Sequence, residues 1–443
     1  MDLLITIAQF MLSLCILIIL HECGHFFPAK WFKTKVEKFY LFFDPYFSLF
    51  SIKKGETEYG IGWLPLGGYV KIAGMVDESF DTDALKEEPK EWEFRSKPAW
   101  QRLIIMLGGV TVNFILGILL FAMILWHWGE SYIPTEGAKY GMVVEELGEH
   151  LGLQDGDLVL SVGSKDMDRF ESYLVKQEIL FNEAETLVVK RNGREITLNV
   201  PENYTSLISA YENREKSLFT LAYPNIISEI TSGSNAQKAG LLAGDQIIGV
   251  NGIETPFYVQ FASAMSSKVS EEVNIKYLRS SDTITTSVMV DEHGKLGYFG
   301  SLPTDFIEIA SEKYAIGPAL GMGCEKSYNF IASQIKAFGQ MFRGKIKAQD
   351  SLGSFISIGG MFGSEWDWHR FWNLTAMLSI LLAFINLLPI PALDGGHVMF
   401  LLFEVITGVK PSDKVLQYAT MGGFFLIMML MIYAVGLDIM RLF

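Results

Sequence analysis

The sequence predicts a polytopic α-helical membrane protein: four transmembrane helices, a stretch of membrane-associated β-hairpins, and a soluble insert built from two copies of one small domain. Three observations carry this reading. Hydrophobic residues make up 50% of the 443 residues and charged residues only 19%, a balance that soluble domains rarely show. Four apolar runs, at 3–20, 103–126, 371–388 and 415–437, are each near or above the length needed to cross a hydrocarbon core of about 30 Å. Between the second and third runs lies a long stretch of ordinary soluble composition with an internal repeat.

The first run begins Met1-Asp2, without a basic leader and without a small-residue cleavage site after it. It is therefore expected to be a retained span and not a signal peptide. Lys30, Lys33, Lys35, Arg95, Lys97 and Arg102 crowd the connection between runs one and two, and Lys410 and Lys414 that between runs three and four. By the excess of basic residues on cytoplasmic loops, these two connections face the cytoplasm, with both termini and the large insert outside. Arg370 and Arg441 run against the pattern. The net charge of −14 argues against a nucleic-acid partner. Three cysteines, Cys15, Cys23 and Cys324, make no disulfide framework.

Residues 35–75 mix aromatic and β-branched side chains with Gly and Pro, the composition of short hairpins. Such backbone survives at membrane depth only where protein buries it or it lines a wet cavity. The acidic run 77–93 reads as a solvated loop. In the insert, LGLQDGDLVLSVGS (151–164) aligns with AGLLAGDQIIGVNG (239–252) at an offset of 88, matching Gly152, Gly156 and Asp157 to Gly240, Gly244 and Asp245. A period this long implies two tandem domains and not a solenoid. The second copy resembles the PDZ family, in which a Gly-Asp turn introduces a strand. That resemblance implies that the preceding strand, around Ile226 and Ile227, takes an extended peptide or free carboxyl terminus by strand addition. The first copy fits less well, with Leu-Gly-Leu for Ala-Gly-Leu.

Residues 315–343 carry Tyr328, Phe330, Ile331, Ile335, Phe338 and Met341 on a broad apolar face and are expected to form an amphipathic helix. Trp366, Trp368 and Trp372 then suggest an approach to the membrane interface. The chain thus divides into 1–127 (two spans and the hairpin region), 128–222 and 223–302 (the PDZ-like pair), 303–368 (amphipathic helix and interfacial linker) and 369–443 (the last two spans).

The chemistry is concentrated at two places. His21, Glu22 and His25 form H-E-x-x-H directly after the first apolar run. On a helix, residues four apart project from one face about 6 Å apart along the axis, which suits two imidazoles on one Zn²⁺ with the glutamate as general base. Ionisable groups at the end of an apolar span are costly and mark function. A hydrolytic zinc site needs a third protein ligand and an open position, and nothing near His25 supplies it. The candidate is Asp394, in NLLPIPALDGGH (386–397), where two prolines interrupt the third span and a Gly-flanked turn follows. Spans one and three run in the same direction, so each motif lies at a cytoplasmic end and Asp394 can reach the depth of the histidines. His397 is a further polar neighbour of the motif.

H-E-x-x-H in a first span with N-x-x-P-x-P-x-L-D-G in a later one resembles the site-2 protease family of intramembrane metalloproteases. The segments GWLPLGGYVKIAGM (62–75) and GGVTVNFILG (108–117) and the PDZ-like pair extend the likeness along the whole chain. The resemblance implies that His21, His25 and Asp394 hold zinc and that Glu22 is the catalytic base. It also implies that Asn386 positions substrate and that Asn113 is structural. Its substrates would be single-span membrane proteins, such as an anti-sigma factor, already cut once outside by another protease. A transmembrane helix must unwind before it can be cut, and the strand carrying Val70, Lys71 and Ile72 is expected to accept the unwound segment. The expected setting is an inner membrane, in contact with lipid, with the PDZ-like pair periplasmic. A different class stays open at this point: a membrane scaffold binding peptides through its PDZ-like domains, with an inert or structural zinc.

Overall fold

The computed structural model describes residues 2–65, 67–75 and 88–441. The chain forms two compact units: Met1–Gly129 with Lys313–Ile335 and Leu352–Phe443, and Glu130–Glu312 with Lys336–Ser351.

Four helices of the first unit are long and apolar enough to cross a membrane: Asp2–Trp31, Ala99–His127, Trp368–Leu387 and Lys414–Arg441. The first continues well past its apolar run, so the H-E-x-x-H cluster lies inside a helix and not at its end. In lipid every peptide group must be bonded within the segment, so a few polar side chains do not stop the helix. The second span is the hub, packing against the first span, the third span and a further helix, Asp394–Thr407. The first and second spans cross at two glycines. A methyl on Gly24 would fall 2.4 Å from the Gly108 carbonyl oxygen, and one on Gly108 would fall 1.9 Å from that of Gly24. Only glycine at both positions lets the backbones touch.

Between the first two spans the chain forms one four-stranded sheet from β1 (Val36–Leu41), β2 (Phe50–Lys54), β3 (Thr57–Ile61) and β4 (Tyr69–Ile72), in the order β2-β3-β1-β4. This corrects the expectation of separate hairpins. Only β2 and β3 are a hairpin; β1 pairs β3 in parallel and β4 antiparallel. Paired residues share a face, so Phe39, Tyr59 and Ile52 lie on one side and Lys38, Glu58 and Lys53 on the other. Of the acidic loop expected at 77–93, residues 77–87 lie outside the described residues. Glu93 itself is buried, its Oε2 accepting from Arg95 Nε at 2.6 Å.

The third span stops at Leu387 because the residue before a proline is pushed out of helical geometry. Leu388 is extended (ψ 144°), and after Pro389 and Pro391 the turn closes through Ala392 at φ 88°. Asp394 was expected in a turn; it opens the helix Asp394–Thr407 instead. Val398 and Leu401 of that helix pack against Ile105 and Met106 of the second span, and Arg102 Nη2 donates to Glu404 Oε1 at 2.5 Å across the same contact. The fourth span meets this turn at Gly423, where a methyl would fall 1.4 Å from the Pro391 carbonyl oxygen. Farther along, Asp438 accepts hydrogen bonds from the backbone and hydroxyls of Ser354 and Ser357 and from Arg441. These donors satisfy a carboxylate that would otherwise be stranded in an apolar span.

The second unit repeats one plan. Leu158, Lys165 and Arg194 open strands in the first module, and Gln246, Ile253 and Asp282, each 88 residues on, open theirs in the second. Each module has its own core, one around Met142, Val159, Val189 and Ile208, the other around Ile227, Ile247, Val273 and Val288. Each also carries the same clasp. Arg191 Nε and Nη2 reach the two oxygens of Asp157 at 2.8 Å, and Nη2 also reaches the Gly152 carbonyl. Arg279 does the same to Asp245, at 2.8 and 2.7 Å, and to the Gly240 carbonyl.

The modules differ at one edge. In the second, Tyr298–Gly300 is an end strand, paired on one side to Asn225–Ile230. In the first, the chain leading into the matching strand Phe219–Leu221 is tied to the helix Ser172–Asn182. Leu218 N donates to Ser172 Oγ at 2.7 Å, and Lys176 Nζ donates to the carbonyls of Asn213, Arg214 and Lys216. The groove expected at Ile226 and Ile227 needs correction. Their strand pairs with Gln246–Val250 on one side and Tyr298–Gly300 on the other, and Ile227 is buried, so it has no free edge to offer a peptide.

Candidate metal centre

The second span brings three features to the histidines on one face, at four-residue intervals. Ile105 offers its carbonyl oxygen to His25 Nδ1 at 2.9 Å. A carbonyl can only accept, so Nδ1 carries the proton and the Nε2 lone pair is free. Gly109 allows close approach: a methyl there would fall 2.4 Å from His25 Nε2 and 2.7 Å from His21 Cε1. Asn113, wholly buried, sets Nδ2 3.2 Å from His21 Nδ1.

Asp394 arrives from the other side. Gly395 and Gly396 let the new helix start directly on the preceding turn, since methyls there would fall 2.3 Å from the Leu388 carbonyl oxygen and 2.5 Å from that of Ile390. The carboxylate then lies with Oδ2 3.3 Å from His21 Nε2 and 3.3 Å from His25 Nε2, and the two Nε2 atoms are 3.3 Å apart. All three side chains are largely enclosed. Asp394 Oδ2 has no donor aligned on it in hydrogen-bonding geometry among the described residues.

This arrangement fits zinc on its own terms. Zn–N and Zn–O bonds of about 2.0–2.1 Å in tetrahedral geometry place neighbouring donors about 3.3–3.4 Å apart. Three donors at that mutual spacing, two imidazole nitrogens and a carboxylate, form one face of such a tetrahedron, with the fourth corner left for water or substrate. Without a cation, two nitrogen lone pairs and a carboxylate oxygen converging in an enclosed space would repel one another.

The other predicted residues surround this face. Asn386, in the last turn of the third span, sets Nδ2 3.4 Å from His21 Nε2. Glu22 is buried on the first helix beside the start of β4: a methyl on Gly68 would meet Ile18, and Glu22 Cγ at 3.3 Å. Val70, Lys71 and Ile72 follow in β4, which among the described residues pairs only with β1 and so ends the sheet. Sequence reasoning missed the Ile105 carbonyl, Gly109 and the contact of Asn113 with His21. No residue type signals a backbone acceptor. The four-residue spacing of Gly109 and Asn113 within an apolar span was the available hint.

The family described as Peptidase family M50 matches residues 9–430. The chain belongs to peptidase family M50. Full-length relatives agree with it. The protease RseP of Yersinia pestis is 27% identical over 463 residues, covering 100% of both chains. The regulator of sigma-E protease RseP of Escherichia coli K12 is 27% identical over 458 residues, covering 98% of each. A Rickettsia conorii chain that carries a zinc metalloprotease name is 28% identical over 445 residues, covering 99% of this chain and all of its own. This M50 protein is a zinc metalloprotease of the intramembrane, site-2 type.

Proposed function

We propose that this M50 protease cuts the transmembrane segments of single-span membrane proteins at the face formed by His21 Nε2, His25 Nε2 and Asp394 Oδ2. The observation that carries the reading is the 3.3 Å triangle of those three atoms, drawn from two helices far apart in sequence. Zinc, when held there, supplies a water of lowered pKa and a Lewis acid for the scissile carbonyl. Glu22 accepts a proton from the attacking water and delivers it to the leaving amine nitrogen. Asn386 stands within hydrogen-bonding reach of the same face and holds the substrate by its amide. As the end strand of its sheet among the described residues, β4 is placed to give an unwound substrate backbone donors and acceptors, replacing the helical bonds it gives up.

Under this reading the active site lies toward the cytoplasmic side of a bacterial inner membrane, and the two PDZ-like modules are periplasmic. The open edge at Tyr298–Gly300 supports binding of a peptide carboxyl terminus by the second module, such as the one left when another protease trims an anti-sigma factor. Deleting residues 130–300 tests this role: a recruiting module predicts lost cleavage, whereas a size gate predicts cleavage of untrimmed substrate.

The test of the chemistry is Glu22→Gln, assayed for cleavage of a model single-span protein and for bound zinc. Cleavage should fall by about 10²–10⁴-fold with zinc retained. Undiminished cleavage would end the assignment of Glu22. Proline at each of positions 70–73 should cripple cleavage without lowering zinc content, and normal turnover would remove β4 from the mechanism.

A further inference from the structure

We infer that Asn113 is a positioning residue of the metal centre, its side-chain oxygen holding His21 in the tautomer that leaves Nε2 free for zinc. The inference rests on the reading of His21 and His25 as ligands.

For His25 the Ile105 carbonyl settles the matter, because Nδ1 must donate to it at 2.9 Å and Nε2 is left unprotonated. His21 needs an equivalent acceptor at its own Nδ1. The only side chain hydrogen-bonded there among the described residues is that of Asn113, 3.2 Å away and fully buried. As placed, its Nδ2 faces the ring and its Oδ1 is buried without a partner. A donor on Nδ1 would force the ring proton onto Nε2, into the space shared with His25 Nε2 and Asp394 Oδ2. That state could not bind a metal.

The two ends of a carboxamide have nearly the same shape, and network geometry decides which is which. Turned over, Asn113 Oδ1 accepts from His21 Nδ1–H, the stranded acceptor gains a partner, and Nε2 becomes a ligand. The main chain at this point is held separately: Ser379 Oγ of the third span donates to the Asn113 carbonyl at 2.7 Å. Asn113 thereby does for His21 with a side chain what Ile105 does for His25 with its backbone, and Gly109 between them makes room for both rings. Ligand imidazoles generally have such a partner on the second nitrogen, and losing it lowers metal affinity by about 10–100-fold.

The experiment compares Asn113→Leu and Asn113→Asp in the purified full-length protein. It measures zinc affinity by chelator competition and thermal unfolding of the metal-free form. Leucine keeps the size and removes the acceptor; aspartate keeps an acceptor. The expected result is a ~10–100-fold loss of zinc affinity for Asn113→Leu and affinity near wild type for Asn113→Asp, with similar metal-free stability. A merely structural role predicts that zinc affinity follows metal-free stability in both variants, and that result would overturn the inference. So would undiminished affinity in Asn113→Leu. If Asn113→Leu does not fold, Asn113→Asp decides alone, since a folded Asn113→Asp with lost zinc contradicts an acceptor role. Wild-type protein that binds no zinc would instead refute the ligand reading itself, so the two failures are distinguishable.

Discussion

Asp394 and the pair Asp157 and Asp245 are all enclosed carboxylates, yet their surroundings differ in kind. Each module aspartate is held in a fork by an arginine and also accepts a backbone N–H, from Gln154 or Leu242. Among the described residues, Asp394 meets two imidazole nitrogens at 3.3 Å, no aligned donor at Oδ2, and no arginine or lysine. A buried anion persists only if something balances its charge. In the modules the balance is built into the chain, and the carboxylates are structural. Around Asp394 the chain supplies no such cation among the described residues, and the donors gathered there suit zinc in type and spacing.

The comparison predicts effects of graded size. Asp394→Ala should abolish proteolysis and reduce zinc affinity by far more than the ~10–100-fold of a supporting residue; retained zinc would place the metal elsewhere. Gly109→Ala sets a methyl against both rings and should also eliminate activity, while the modules unfold as in wild type by calorimetry. Glu404→Leu leaves Arg102 buried without its partner and should cost about 3–5 kcal/mol in the membrane unit, with Arg102→Met/Glu404→Leu recovering most of it.

Asp245→Asn should cost the second module about 1.5–3 kcal/mol and leave the zinc affinity of the full chain unchanged. It should also alter acid stability. Burial alone would raise the Asp245 pKa, but hydrogen bonds from Arg279 and the Leu242 N–H outweigh it and hold the carboxyl below its usual range. A depressed carboxylate contributes stability above its unfolded value of about 3.9, lost as pH falls through the folded one. Wild type should therefore lose module stability below about pH 4, and the Asp245→Asn variant should show a flatter acid limb in chemical denaturation. The smallest effect is expected at Lys176→Met, which frees three carbonyls of the first module. Faster amide exchange around Leu218 would report it, and unchanged exchange would mean that the clasp holds nothing shut.

The metal face was legible in the sequence because each half is a local pattern: i, i+4 histidines on one side and an aspartate after a proline break on the other. Parity of the spans then allowed the two halves to meet, and the structure brings their side chains together. The four spans were legible for the same reason, since length and hydropathy are local properties. Less visible was whatever depends on long-range pairing. The helix Asp394–Thr407 hides because its apolar stretch is short and follows a motif that reads as a turn. The sheet of residues 36–72 places β1 parallel to β3, which no composition announces. Ile226 and Ile227 have the right residue type for a binding strand, but edge or interior position is a property of the assembled sheet. The clasp was within reach, because Arg191 and Arg279 also stand 88 residues apart, beyond the repeated motif.

The most direct test of the account is X-ray absorption at the zinc edge on purified, metal-loaded protein, with Asp394→Ala alongside. The account predicts one zinc per chain bound by nitrogen and oxygen only, at about 2.0–2.1 Å, and its loss in the variant. A sulfur shell at about 2.3 Å, which would bring in Cys15 or Cys23, or zinc that survives Asp394→Ala, would contradict it.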